Sequence, residues 1–387
     1  MERNPQQAVG QPVMNNILVK NQHYIPEGFL KGFTDSDGKL VEVLLRNKKI
    51  YRTSPSNSMS EKFVYEHDNL RRNTLEKYFA KLDSNIVPRI KLINKEIERL
   101  KNNDSSIEQI KAMIEELLPI FVIFYYRSGA LLTESSFFDA RMKIPLLTEK
   151  ILNHQYIKAL SQTIILGYNF ALIESNNDFL LSDQFMSTAA LDIKGQIANI
   201  SNRHIGFIET LILIPISSIY YIVYWNSQRK FVLENNTFKL LDNNQVIQFN
   251  SIIINNSYIK CVGAEEERIK EVTHAFHEEY PSQIFIGGGK SGRTFGATRK
   301  KEVFFYDIDK KAFELFDPGY YSMFKKLKRN DPCACPSGKK YKKCHMDAFV
   351  KFESLINNKI ATGNYVKDIR IKGTIACELP IDSWGSQ

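Results

Sequence analysis

Cysteine is scarce and unevenly placed: the 387 residues hold five, too few for a disulfide scaffold, which points to a reducing interior. Three of the five fall between Cys333 and Cys344, leaving Cys261 and Cys377 as buried or free thiols. Long apolar runs are also missing. Leu117–Tyr126 is too short to cross a bilayer, and Leu211–Trp225 is interrupted by Pro215, Ser217 and Ser218. No basic segment followed by an apolar stretch opens the chain, so export is not expected and a cytoplasmic location is. There is no internal repeat, no Ser-His-Asp set and no cysteine placed as a nucleophile. An acidic excess is lacking too: the net charge is +9, which favours a polyanionic partner.

What is present is ordinary for a globular protein. An apolar fraction of 43% and a charged fraction of 25% suit one large domain with a substantial core. Strands are expected at Leu40–Arg46, Ile50–Thr53, Phe179–Ser182, Thr210–Ile214, Tyr220–Trp225, Val232–Ile247 and Glu302–Ile308. Helical spacing runs from Thr74 to Leu100 through Leu75, Phe79, Leu82, Ile86, Ile90, Ile93 and Ile97. Further helices are expected over Ser106–Arg127, Phe138–Glu174 and Glu265–Tyr280. Helices in the middle and strands at both ends predict an α+β fold, a mixed helical and antiparallel-strand main domain followed by a small C-terminal zinc knuckle. The division expected is a disordered N-terminus over 1–20, a main domain over 21–310, a basic linker over 311–329, a zinc module over 330–348 and a tail over 349–387.

The zinc module rests on CACPSGKKYKKCH. Cys333 and Cys335 form one chelating pair, and Cys344 and His345 form another. Three thiolates and one imidazole fill a tetrahedral shell, so the Zn²⁺ would be structural, with no open position for substrate. So short a segment cannot bury enough apolar surface to fold alone, and a structural zinc contributes about 10–16 kcal/mol in such modules. Gly338 allows the reversal between the pairs. Lys339, Lys340, Lys342 and Lys343 surround the negative centre, and Lys325, Lys326, Lys328 and Arg329 lead into it. Clustered cations of this kind attract nucleic-acid phosphate, although a solvated linker or a protein-docking surface has the same composition.

The segment resembles the SEC-C motif, written C-x-C-G-S-G-K-K-x-K-x-C-C/H, found at the C-terminus of the translocation ATPase SecA and on many bacterial proteins. Cys333, Cys335, Ser337, Gly338, Lys339, Lys340, Lys342, Cys344 and His345 match it, and Pro336 replaces the first glycine. The resemblance implies docking onto a partner protein or the ribosome.

A second resemblance covers roughly residues 20–270. QHYIPEGFLKGF at Gln22–Phe33 is similar to the opening of the bacterial family called domain of unknown function 4238. Leu75-Glu76 with Asp83, Arg127 after FVIFYY, Ser182-Asp183, Pro215-Ile216-Ser217 and Asn250 follow in order. Gln184-Phe185 stands where that family has Asn-Pro. Some of its members sit among suspected phage-defence genes, which implies a toxic effector.

His23, Glu76, Asp83, Arg127 and Asp183 are the polar residues most embedded in apolar surroundings. As a catalytic set, the carboxylates and the histidine would hold Mg²⁺ or Mn²⁺ while Arg127 stabilised phosphoryl charge, giving a metal-dependent nuclease. As structural residues, they would be a turn histidine, a first-turn acid, a turn cap and a buried ion pair. Two weaker patterns are read as structural. Ile286–Gly296 lacks the first glycine of a phosphate loop, since Ile284 stands there. His274 and His277 are explained by the end of a helix.

Overall fold

The computed structural model describes residues 18–127, 142–176, 178–193, 205–276, 282–288, 293–299 and 302–361. Most of the N-terminal segment, the tail beyond 361, Cys377, His277 and the glycine-rich centre of 286–296 lie outside the described residues.

The chain opens with β1 (Asn21–His23) and the short helix α1 (Glu27–Leu30), then β2 (Leu40–Leu44), β3 (Lys49–Thr53) and β4 (Ser60–Lys62). Two long helices follow, α2 (Thr74–Lys101) and α3 (Ile107–Arg127), packed on each other. Both run through a proline, Pro88 and Pro119, because the buried faces recur at helical spacing on either side of each ring. Leu75, Phe79, Ile86, Ile90, Ile93 and Ile97 of α2 are all buried, the stripe the sequence spacing predicts. Next come α4 (Lys143–Leu152), α5 (His154–Gly167), β5 (Tyr168–Glu174), β6 (Leu181–Ser182), β7 (Ser187–Ala190), β8 (Thr210–Pro215), β9 (Tyr220–Asn226) and β10 (Thr237–Leu240). After these the chain forms α6 (Asn243–Asn256), β11 (Lys260–Gly263), α7 (Glu266–Thr273), β12 (Ser282–Gly288) and β13 (Arg293–Arg299). It ends in α8 (Asp307–Glu314), α9 (Pro318–Phe324) and α10 (Met346–Ala361).

The main sheet has the order β10-β5-β9-β8-β7. Only the β10–β5 pair is parallel; its other neighbours are antiparallel. A second sheet, β3-β2-β11-β6, is antiparallel throughout. Two-stranded pairs join β1 to β4 and β12 to β13. The fold is α+β, with one mixed sheet and otherwise antiparallel pairing.

Three expected elements differ. Tyr168–Glu174 is a strand, not the end of a helix: α5 stops at Gly167, the next seven residues pair with β9, and the last four of them also pair with β10. Val232–Ile247 is not one strand, because Asp242 and Gln245 form a reciprocal capping box that starts α6 inside it. Glu302–Ile308 keeps only a single parallel bridge, Phe304 to Ala190, before α8 begins at Asp307. Within 311–329, read as a linker from its charge, lie the end of α8 and the whole of α9.

Buried polar side chains lock the elements together. The Asn250 amide on α6 donates to Asp178 O at 2.8 Å and accepts from Leu180 N at 2.9 Å. Asn256 does the same for Thr188, at 2.8 and 3.1 Å. The turn from β8 to β9 is tied to the N-terminal block, since Ser218 donates through both its amide and its hydroxyl to Gly32 O. Apolar burial falls into two clusters. The larger gathers the two main sheets and the central helices; the smaller contains Phe313, Leu315, Phe324, Cys333, Tyr341, Phe352 and Ile193.

Candidate metal centre

The turn that carries the first cysteine pair is short and closed. Cys333 N donates to Lys339 O at 2.8 Å, and Tyr341 N to Asp331 O at 2.8 Å. Gly338 sits at φ +66°, in open space, as the reversal requires. A 3₁₀ turn, Tyr341–Lys343, then delivers Cys344 and His345 to the start of α10.

The donor atoms of Cys333, Cys335, Cys344 and His345 all lie within 4.8 Å of one another. Cys335 Sγ is 3.5 Å from both Cys333 Sγ and Cys344 Sγ. His345 Nδ1 is 3.3 Å from Cys333 Sγ and 3.2 Å from Cys344 Sγ. A tetrahedron with metal–sulfur bonds of about 2.3 Å has edges of about 3.7 Å, so the set is close to the size of its ion. The donors fit a tetrahedral metal site. The Ser337 hydroxyl lies 3.0 Å from Cys335 Sγ and 3.2 Å from Cys344 Sγ. Burial raises the Cys335 thiol, but the Ser337 hydroxyl and amide and the adjacent thiols outweigh it and bring it down to about 7. A thiol poised this way gives up its proton readily to a metal.

The other site residues predicted from sequence divide into two sets. Arg127, at the end of α3 and 2% exposed, is fully engaged. It makes a bidentate pair with Asp83, donates through Nε to Tyr65 Oη at 3.0 Å, and reaches His23 O at 2.6 Å. Its guanidinium also lies 4.4 Å from the centre of the Phe79 ring. Glu76 feels the charges of Arg127 and Asp83, yet burial is the larger influence and raises its carboxyl. Burial likewise lowers His23. His23 Nε2 and Glu76 Oε2 are buried and have no hydrogen-bond partner among the described residues.

Asp183 has a separate set of bonds. Its carboxylate accepts from the amides of Tyr258 at 2.9 Å, Ile259 at 2.7 Å and Lys260 at 3.0 Å. Next to it, Phe185 takes φ +65°, held by contacts with Phe29, Phe121 and Phe124. The Mg²⁺ or Mn²⁺ set expected from these carboxylates and His23 does not close. Asp83 is committed to Arg127 and Asp183 to three amides. Among the described residues the Cys/His cluster is the one group of three or more such ligands whose donor atoms converge.

Sequence reasoning missed Tyr320 and Phe324. The Tyr320 hydroxyl is 3.3 Å from His345 Nε2, and the Phe324 ring centre is 4.7 Å from that of His345. Both precede the cysteines on α9, and only their aromatic character in a lysine-rich stretch marked them.

The chain belongs to the family described as protein of unknown function (DUF4238), whose pattern matches residues 21–267. The SEC-C motif matches residues 329–347. No curated protein and no solved structure is significantly similar to the chain. No helix among the described residues is long and apolar enough to cross a membrane.

Proposed function

We propose that the protein binds structural Zn²⁺ through Cys333, Cys335, Cys344 and His345, and that the metal-ordered module docks the main domain onto an RNA-containing partner of ribosomal type in the cytoplasm. The observation that carries this reading is the convergence of three thiols and one imidazole nitrogen. Charge supports the choice of RNA over protein. Lys325, Lys326, Lys328, Arg329, Lys339, Lys340 and Lys343 are exposed and Lys342 is half-buried. The ion pairs of the described residues include none of these eight cations; the basic residues that do pair nearby are Lys311 and Lys351. Unpaired cations clustered around one small module are what counterion release from RNA needs. A metal-dependent nuclease has less support, because two of its carboxylates are held by an arginine and by backbone amides.

Metal analysis of purified protein should return one zinc per chain. Sedimentation with ribosomes across a salt series should show binding at low salt that weakens steeply as salt rises. Reversing Lys339, Lys340 and Lys343 to glutamate should reduce the slope of log K against log salt by about 3. Zinc present with no ribosome binding at any salt would leave a protein partner as the docking target.

A further inference from the structure

The imidazole of His345 has two nitrogens with different neighbours. Nδ1 lies 3.3 and 3.2 Å from two sulfurs, while Nε2 lies 3.3 Å from the Tyr320 hydroxyl. When Nδ1 holds a metal, the remaining proton must sit on Nε2, which then donates to Tyr320 Oη. That assignment leaves no free choice of tautomer. The ring is also fixed in its plane: Phe324 packs against it at 4.7 Å and Tyr320 edge-on at 6.1 Å, and His345 is 3% exposed.

Tyr320 is itself held from its own helix. Asp317 caps α9 by accepting from the Tyr320 amide at 2.8 Å, and the Tyr320 ring packs on Phe324 at 4.9 Å. The residue lies outside the stretch 329–347 that matches the SEC-C motif. We infer that Tyr320 is a positioning residue for the metal: by accepting from His345 Nε2 it fixes the tautomer and the ring angle that aim Nδ1 at the three sulfurs. The metal-binding unit therefore begins at α9 rather than at the first cysteine.

This inference rests on the zinc reading, and the test separates the two. Zinc affinity is measured by competition with a chromophoric chelator in the full-length protein. Tyr320→Phe keeps the ring and its packing and removes only the hydroxyl, and loss of such an outer partner lowers metal affinity about 10- to 100-fold. Tyr321→Phe is the matched control, since that hydroxyl is bonded to Glu353 Oε1 at 2.9 Å instead; its affinity should stay within about twofold of wild type. The second arm repeats Tyr320→Phe in a His345→Cys background, where the fourth ligand has no second nitrogen. There the loss should vanish. Wild type without stoichiometric zinc overturns both the reading and the inference. Zinc-loaded wild type with unchanged affinity in Tyr320→Phe overturns the inference alone. So does an equal loss in the His345→Cys background, which would show that the hydroxyl acts through packing.

Discussion

The residue that joins most of the N-terminal half is Arg127. Its charge is buried under aromatic rings and balanced by one carboxylate, one phenol and one carbonyl oxygen. A buried ion pair contributes little net stability when intact, but removing one partner leaves an uncompensated charge and costs about 3–5 kcal/mol. Arg127→Met should therefore lower the unfolding free energy by about that amount in urea titrations. Adding Asp83→Asn should recover part of the loss, because the stranded carboxylate is then neutral. Unchanged stability in Arg127→Met would mean that the pair is not formed in solution. The blocks shared with the family behave the same way elsewhere: Asp183 and Asn250 both bind backbone groups of distant segments.

At the scale of elements, one carboxylate, that of Asp183, accepts from the three amides that lead into β11. Burial pushes Asp183 up to about 7 from 3.8, against the amides of Lys260 and Ile259 and the charge of Lys260, which hold it down. A raised folded-state pKa means that the native state binds the proton more tightly than the unfolded chain. Its contribution to stability is thus full below about pH 4 and is lost as pH rises to about 7. Relative to Asp183→Asn, wild type should lose stability steadily across that window. Denaturant titrations of both proteins at several pH values check it, and parallel profiles would refute it.

How far such elements could be read from sequence depended on the range of the interactions that set them. The α2 stripe and the aromatic, β-branched runs of β8 and β9 are local patterns, and they were legible. So was the Cys/His set, because its spacing is short and its chemistry specific. The Val232–Ile247 run was legible only in part: Thr237–Leu240 is a strand, but one Asp-to-Gln capping box turns its end into a helix. The Tyr320–His345 contact spans 25 residues, and no local pattern encodes it. The same holds for Asp83 and Arg127, 44 residues apart: the sequence left a catalytic set and a buried ion pair both open, and only the fold shows the pair.

Across the whole molecule, one short stretch serves both apolar clusters: Val303 and Phe305 belong to the larger, and Phe304 between them packs on the smaller. Ala190 bonds to Val303 O at 2.8 Å and accepts from Phe305 N at 3.0 Å. Lys351 of α10 reaches Asp192 at 3.0 Å and also the buried Asp309. The smaller cluster includes Cys333 and surrounds the metal ligands, so its order should depend on the ion while the larger one should not. Chelation should remove hydrogen-exchange protection from α8, α9 and α10 and leave β5, β8 and β9 protected. Loss of protection in both would show a single cooperative unit. One consequence concerns the sign of the docking signal. Filling the centre exchanges up to three thiol protons for a dication, which makes this region more negative by up to one unit. Coulomb attraction alone would then favour the empty form on RNA, so tighter capture by the filled form would have to come from shape.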